Sequence, residues 1–337
     1  MTPQSSALFA LRLAIAVGLL AVVFHIALPD AAPGEAWYTP LERAWIAPPL
    51  PWLLTAAAAF GLSYLLGALR FQWLLQAAQL PARYAVLLRA YLIGNFFNLV
   101  LPGLILGDVY RFADARRDAG SGSAVLGLVV LERLLGFSAL GIMALVAAPL
   151  LPADTASTTL RASVAGLGII ISVVPFLALT EPGRALFAAI ARSLARVWPR
   201  AGEASIGALE AAATAASERG LLVRTFALSL ANQWLPVGAV VALAAPLDHA
   251  VAWYWFAAIV PFVTLASLLP ISIGGTGVRE ALFVALFGAV GMRAEVALAL
   301  SLSTLGVALV WGLLGLALFA AGRRDAASDS GSAESLP

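Results

Sequence analysis

The residues best suited to chemistry lie in two short, related segments that interrupt long apolar stretches. The segment from Leu101 to Arg111 (LPGLILGDVYR) recurs in outline from Leu269 to Arg279 (LPISIGGTGVR). In each copy a proline is followed, at the same spacing, by a glycine, a residue of a helix-capping type and an arginine. These are Pro102, Gly107, Asp108 and Arg111 in the first copy and Pro270, Gly275, Thr276 and Arg279 in the second. Matched interruptions of this kind are the best sequence pointer to a binding site in a membrane protein.

The spacing predicts an anion-binding arrangement at each interruption. Asp108 and Thr276 are of types favoured at the N-cap, so we expect a helix to start directly after each, with free amides facing the interruption. The positive end of such a helix, together with Arg111 or Arg279, suits a phosphate or another anion. An arginine facing lipid at mid-bilayer costs between about 3 and more than 10 kcal/mol. Both side chains must therefore face a polar cavity, a counter-ion or the membrane interface.

Acidic residues adjoin both arginines. Glu280 follows Arg279 directly, and Asp108 lies about one helical turn before Arg111. These carboxylates are predicted to balance or relay charge at the site. For Arg111, which is followed by further arginines, a cytoplasmic cluster of positive charge is the alternative interpretation.

Four more polar residues lie inside apolar stretches. Glu132 and Arg133 form an ionisable pair within a transmembrane stretch, which is a functional candidate by default. An internal structural salt bridge is the alternative. Asn95 and Asn98, on neighbouring turns, are predicted to hydrogen-bond a headgroup or unwound backbone.

Residues 84 to 106 and 251 to 290 are apolar but contain helix-breaking residues, and they are predicted to be broken or re-entrant helices. The break residues are Pro102, Gly103 and Gly107 in the first segment and Pro270, Gly274, Gly275 and Gly277 in the second. Non-helical backbone at membrane depth is tolerated only inside protein or beside a water-filled cavity. Each break is therefore expected inside the helix bundle, unless the glycines serve only close packing or a tight turn.

The composition predicts an all-α polytopic membrane protein. The chain has 337 residues, of which 62% are hydrophobic and 11% charged, and its mean hydropathy is +0.95. Six apolar stretches are near or above the ~20 residues that a membrane-spanning helix needs. They are residues 8 to 28, 50 to 69, 123 to 150, 161 to 180, 222 to 247 and 296 to 321. We expect one transmembrane domain over residues 1 to 322, with the first stretch retained as a helix, and a disordered cytoplasmic tail over residues 323 to 337.

The distribution of charge predicts the orientation. Arg70, Arg83 and Arg89 follow the second apolar stretch, whereas the connection before it is mainly acidic. The positive-inside rule therefore places both termini in the cytoplasm. If both broken segments are re-entrant, six crossings result and the two copies form an inverted repeat, as in many alternating-access transporters. If residues 251 to 270 and 277 to 291 each cross fully, there are eight crossings and the copies are parallel.

The basic connection between the fourth and fifth apolar stretches contains an amphipathic pattern over residues 184 to 200. Apolar residues recur there at spacings of three and four, with arginines between them. The pattern predicts a helix lying on the inner leaflet. A helical connector with a solvated basic face is the alternative.

Several kinds of chemistry are not supported. The chain has no cysteine, and its two histidines, His25 and His249, lack neighbours at ligand spacing, so no metal site is predicted. The glycine-rich run at residues 274 to 277 lacks the spacing and lysine of a nucleotide-binding loop. No serine or aspartate nucleophile motif is present. The basic residues are dispersed along the predicted membrane edges, which does not support nucleic-acid binding. We therefore expect no enzymatic activity, no cofactor and no nucleic-acid partner.

At these motifs the chain resembles the lysylphosphatidylglycerol synthase transmembrane family of flippase-like proteins, over roughly residues 8 to 322. The motifs are GNFFN from Gly94, LPG from Leu101, GDVYR from Gly107, ERLL from Glu132 and PISIGGTGVRE from Pro270. The resemblance implies a role in moving or handling lipids. Bifunctional members translocate aminoacylated phosphatidylglycerol and carry a C-terminal aminoacyltransferase domain, for which this chain of 337 residues is expected to have no room. A single glycine precedes Asp108, whereas the family usually has two.

From the residues and the resemblance together, we expect a translocator of a lipid with an anionic headgroup in a bacterial inner membrane. Arg111 and Arg279 would engage the phosphate, and the proline and glycine breaks would let the gate move. A lipid-binding accessory that does not transport, with an envelope or isoprenoid-pathway enzyme as its partner, is the alternative. The headgroup, the coupling ion and the oligomeric state are not readable from the sequence.

Overall fold

The computed structural model of the chain describes residues 3–28, 36, 38–44, 48–101, 106–150, 158–247, 251–267 and 273–333. The described chain is a bundle of α-helices, which confirms the predicted fold class. The helices are α1 (Pro3–Ala27), α2 (Thr39–Ala44), α3 (Leu50–Ala77), α4 (Tyr84–Val100), α5 (Leu106–Ala119), α6 (Gly122–Ala147), α7 (Thr158–Leu179), α8 (Glu181–Val197), α9 (Pro199–Ser217), α10 (Arg219–Ala244), α11 (Trp253–Ser267), α12 (Val278–Gly288) and α13 (Ala294–Ala333).

Within the described ranges, five helical stretches are long and apolar enough to cross a bilayer. They are Ala10–Ala27, Leu50–Ala77, Gly122–Leu150, Arg219–Ala244 and Ala294–Gly322. Five of the six predicted crossings are therefore confirmed by length and composition. The other, residues 161 to 180, falls in α7, where the apolar stretch Arg161–Val173 is shorter. The chain is a multi-pass membrane protein.

Both broken segments are interrupted where the sequence predicts. The first is divided into α4 and α5 and the second into α11 and α12. Pro102, Gly103 and Pro270 lie outside the described residues, so their part in the breaks stays a prediction.

The two helices that follow the breaks do not start where the capping pattern predicts. Helix α5 begins at Leu106, so Asp108 lies inside its first turn rather than at the N-cap. Helix α12 begins at Val278, and its N-cap is Gly277 rather than Thr276. Gly277 has a φ of +86°, which favours glycine, and its own backbone N–H donates to the carboxylate of Glu280 one turn later.

The helices on either side of the breaks form two copies of one arrangement, α3 to α6 and α10 to α13. Packing contacts within and between the two copies occur in matching pairs. The paired contacts are α3–α4 with α10–α11, α4–α5 with α11–α12, α5–α6 with α12–α13, α3–α6 with α10–α13 and α4–α13 with α11–α6. Helices α3 and α10 pack on each other at the centre. The structure thus contains the predicted internal repeat.

The length of α12 favours the six-crossing topology. Its 11 residues extend about 16 Å at 1.5 Å per residue, roughly half of the ~30 Å hydrocarbon core. Residues 277 to 291 therefore do not cross the bilayer as one helix. In the six-crossing topology, helices α11 and α12 form a re-entrant pair and the repeat is inverted, and that orientation stays a prediction.

Two other expectations concern the segments that the sequence predicts to be cytoplasmic. Residues 181–197 form α8, whose Phe187 and Ile190 are exposed, as in an amphipathic helix, and α8 packs against α9. Helix α13 continues to Ala333, so residues 323–333 of the tail that was expected to be disordered are helical. The remaining residues, 334–337, lie outside the described ranges, and the division of the chain at residue 322 stays a prediction.

Candidate functional site

Arg70 is the residue around which three helices of the bundle meet. The sequence assigned it to a connection, but α3 continues to Ala77 and buries it at 8% exposure. Its Nη2 donates to Oε1 of Glu132 on α6 at 2.6 Å, and its Nη1 donates to Oγ of Ser229 on α10 at 2.8 Å. Arg70 thus joins α3, α6 and α10.

The carboxylate of Glu132 accepts from three side chains. Besides Arg70, the phenol of Tyr91 on α4 donates to Oε1, and Nη1 of Arg111 on α5 approaches Oε2 at 3.4 Å. Glu132 is only 1% exposed. A carboxylate so far from water requires partners of this kind, because burying an unpaired charge is very costly.

Asp108 forms the other half of the same network. Its carboxylate pairs with Arg111 on its own helix and with Arg133 on α6. The neighbours Glu132 and Arg133 therefore face different partners. The guanidinium of Arg111 also lies over the ring of Tyr91, with Cζ 4.1 Å from the ring centroid, a cation–π contact.

Counted over its described side chains, this network carries an excess of one positive charge. Arg70, Arg111 and Arg133 face the two carboxylates of Asp108 and Glu132. Arg70 and Arg111 are buried, whereas the side chain of Arg133 is 35% exposed. An unbalanced positive charge within a membrane protein is stabilised by an anion, so the network is suited to bind one.

Arg70, Arg111, Glu132 and Arg133 of this network line an open polar cavity of about 180 Å³. The residues that line it are Ser63, Tyr64, Gly67, Arg70, Tyr91, Gly94, Asn95, Asn98, Arg111, Glu132, Arg133 and Asn232. In the part of the chain that the structure describes, three of its polar atoms are buried without a hydrogen-bond partner: Nε of Arg70, Nδ2 of Asn95 and Oδ1 of Asn232. Buried polar atoms are normally paired, so these three mark positions for water or for a polar ligand.

Asn98 fixes the start of α5 against α4. Its Oδ1 accepts from the backbone N–H of Gly107 at 2.8 Å, so of the two roles predicted for Asn98 the structure shows the contact with backbone. Gly107 is required by this close approach, because a Cβ there would lie 2.7 Å from the Asn98 amide.

An aromatic cluster holds the two halves of the first broken segment on α13. The ring of Phe97 on α4 lies 5.4 Å from that of Tyr110 on α5 and 5.3 Å from that of Phe319 on α13, centroid to centroid. Each such contact contributes about 0.5–1.5 kcal/mol beyond burial. The cluster keeps α4 and α5 in a fixed relation, which holds Arg111 over the cavity.

The second break has a different electrostatic character. Arg279 pairs with Glu280 and donates from Nε to Oγ of Ser301 on α13 at 3.3 Å. Glu280 is fully buried, and its Oε2 accepts from the backbone N–H of Gly277 at 2.6 Å. One cation faces one carboxylate, so this pair is balanced. The described lining of the polar cavity includes neither residue.

The turn of the second break packs against the end of α4. Gly274 has a φ of +58°, and a Cβ on it would lie 2.6 Å from the carbonyl oxygen of Leu99. Gly275 and Gly277 also have positive φ values. The two breaks therefore meet, although their charged residues belong to separate networks.

Sequence reasoning missed part of this site. Arg70 could have been found, because the apolar residues that follow it extend the helix and place an arginine inside a membrane-spanning stretch. Tyr91, Ser229 and Asn232 carry no comparable signal, because an uncharged polar residue in an apolar helix is common and only the packing of α3, α4 and α10 brings these three to the cavity.

The helical fold and the arginine-rich polar cavity beside the first break define the class of the protein. It is a polytopic α-helical membrane protein with an internal polar site. The model of the family described as "Lysylphosphatidylglycerol synthase TM region" matches residues 9–316, and the chain belongs to that family, whose members are related to lipid handling. Neither a curated protein nor a solved structure matches the chain.

Proposed function

We propose that the protein translocates a lipid with an anionic headgroup between the leaflets of a bacterial inner membrane, with both of its termini in the cytoplasm. The observation that carries this proposal is the polar cavity, which combines an excess positive charge with buried polar atoms that lack partners. Family membership supports a lipid as the molecule that is handled.

The headgroup phosphate binds to Arg111 and Arg133. Planar guanidinium groups bind phosphate oxygens through paired, charge-assisted hydrogen bonds. Asp108 pairs with both arginines, and the phosphate takes its place when lipid binds. Arg133 is the more exposed of the two and meets the lipid first.

Arg70, Glu132 and the second break support this site. Arg70 and Glu132 hold α3, α6 and α10 together below the phosphate. Arg279 and Glu280, predicted to bind substrate, form a balanced pair that fixes the start of α12. The glycine turn against α4 lets the two repeats rock about the site, which opens it to each leaflet in turn. In this account the protein is not an enzyme.

The test is leaflet exchange of lipids labelled on their headgroups, in proteoliposomes that contain equal amounts of folded protein. The native protein is compared with Arg111→Gln and with Arg293→Gln. The control removes the same charge from Arg293, which is 59% exposed, pairs with Glu295 and is not among the residues that line the cavity.

Native protein and the control are expected to accelerate exchange of phosphatidylglycerol but not of a neutral glycolipid. Arg111→Gln is expected to slow it by at least about tenfold, because a hydrogen bond to a charged group contributes about 1.5–3 kcal/mol. Absence of exchange for every lipid with folded native protein would refute translocation and favour the accessory role.

A further inference from the structure

A second, larger cavity lies among α6, α7, α11 and α12 and differs in chemistry from the polar one. Its volume is about 460 Å³. Representative lining residues are Leu140, Leu167, Trp255, Phe262 and Leu265. Among the described residues that line it, the hydroxyl of Ser163 and the indole N–H of Trp255 are the only side-chain polar groups.

This lining cannot hold a cluster of ordered water. A buried water needs two to four polar partners, and an apolar cavity of ~150 Å³ stays dry and binds small hydrocarbons. The cavity here is about three times that size. The cavity is partly open, since Phe262 in its lining is 38% exposed, so an apolar group from the surrounding bilayer can enter it.

We propose that this cavity binds the hydrocarbon tail of a membrane lipid. Its lining on α11 runs from Trp255 to Leu265, about 15 Å along the helix, which is half of the ~30 Å hydrocarbon core and therefore the depth of one leaflet. The aromatic pair before it, Trp253 and Tyr254, marks one interface, since Trp253 is 59% exposed and such residues collect at headgroup level. The cavity thus extends from an interface towards the bilayer centre, as a tail does.

The position of the cavity relates it to the polar site. Arg133 at the polar cavity and Leu140 at the apolar one lie seven residues apart on α6, on the same face and about 10 Å along the axis. A tail held beside Leu140 is therefore within reach of a headgroup beside Arg133. The tail site does not depend on the proposed function, because anionic and neutral lipids both have hydrocarbon tails.

The test uses diacylglycerol with a photoactivatable diazirine at the end of one tail, in proteoliposomes of phosphatidylcholine. Because the headgroup of this probe is neutral, its binding does not depend on the excess positive charge at the polar cavity. Crosslinked residues are mapped by mass spectrometry in the native protein and in two variants that fill the cavity, Ala144→Phe and Ala258→Phe. The control is Ala162→Phe, an exposed position on α7 outside the lining.

Crosslinks in the native protein are expected to concentrate on the cavity lining. They should fall about tenfold in each filling variant that elutes as a folded species and stay unchanged in the control. Crosslinks spread over the outward faces of the native protein would overturn the proposal, and so would equal labelling of the folded filling variants and the control. Arg111→Gln should leave this labelling unchanged, which separates the tail site from the translocation site.

Discussion

At the scale of single residues, Glu132 governs the charge network because it is the carboxylate shared by Arg70 and Arg111. Glu132→Gln leaves these buried guanidinium groups without their common counter-ion. Removing one partner of a buried pair costs about 3–5 kcal/mol, so we expect a clear fall in the midpoint of thermal unfolding in detergent.

The control for this prediction is Glu295→Gln, which breaks a pair whose other member, Arg293, is 59% exposed. Exposed pairs contribute at most about 1 kcal/mol, so the midpoint should hardly move. Similar midpoints for Glu132→Gln and the control would show that the network does not stabilise the fold.

Some residues of the site, but not their partners, could be predicted from the sequence. Asp108 and Arg111 were identified from the two matched motifs, and Glu132 because an ionisable residue inside an apolar stretch must have partners. The structure joins the three in one network. The identity of those partners was not predictable, because it depends on contacts such as that of Arg70 with Ser229, far apart in the chain.

At the scale of elements, the position of both breaks was predictable, but the helix starts were not. Closely spaced proline and glycine residues predict an interruption, although single prolines are tolerated inside α7, α10 and α11. The first helical residue depends instead on which groups satisfy the free amides. At α12 the carboxylate of Glu280 satisfies the amide of Gly277, and at α5 the side chain of Asn98 satisfies that of Gly107. Neither contact follows from the residue at the expected N-cap.

The contact between the two breaks leads to a prediction for Gly274. Gly274→Ala combines an unfavourable positive φ with a clash against the Leu99 carbonyl oxygen, so it should push the turn away from α4. We expect the free energy of unfolding to fall by about 2–4 kcal/mol and lipid exchange to slow. Thermal unfolding and exchange in proteoliposomes measure the two effects.

Gly291→Ala provides the matched control. Gly291 also has a positive φ, +92°, but a Cβ there would meet open space, so only the backbone strain of about 1 kcal/mol applies. If Gly274→Ala and Gly291→Ala lower the free energy of unfolding equally, the close contact between the two breaks does not contribute to stability.

At the scale of the whole molecule, the repeat was visible in the sequence as a matched pair of motifs, and the short α12 favours, without establishing, its inverted orientation. Single cysteines test the orientation directly, because the native chain has none. With an impermeant maleimide on intact cells, we expect Trp253→Cys to be labelled from outside and Ser193→Cys only after permeabilisation. Thr276→Cys, at the turn between α11 and α12, should be protected from both sides. Labelling of Thr276→Cys from the cytoplasm would instead support eight crossings.

The most direct test of the account asks which of the two breaks binds the anionic headgroup. The measurement is the equilibrium affinity of purified protein for short-chain phosphatidylglycerol, in the native form, in Arg111→Gln and in the double variant Arg279→Gln/Glu280→Gln. The double variant neutralises the balanced pair and leaves an amide oxygen to accept from Gly277. We predict that Arg111→Gln weakens binding by about tenfold or more and that the double variant changes it by less than about twofold. Unchanged affinity in Arg111→Gln, with loss in the double variant, would contradict the account and move the headgroup site to the second break.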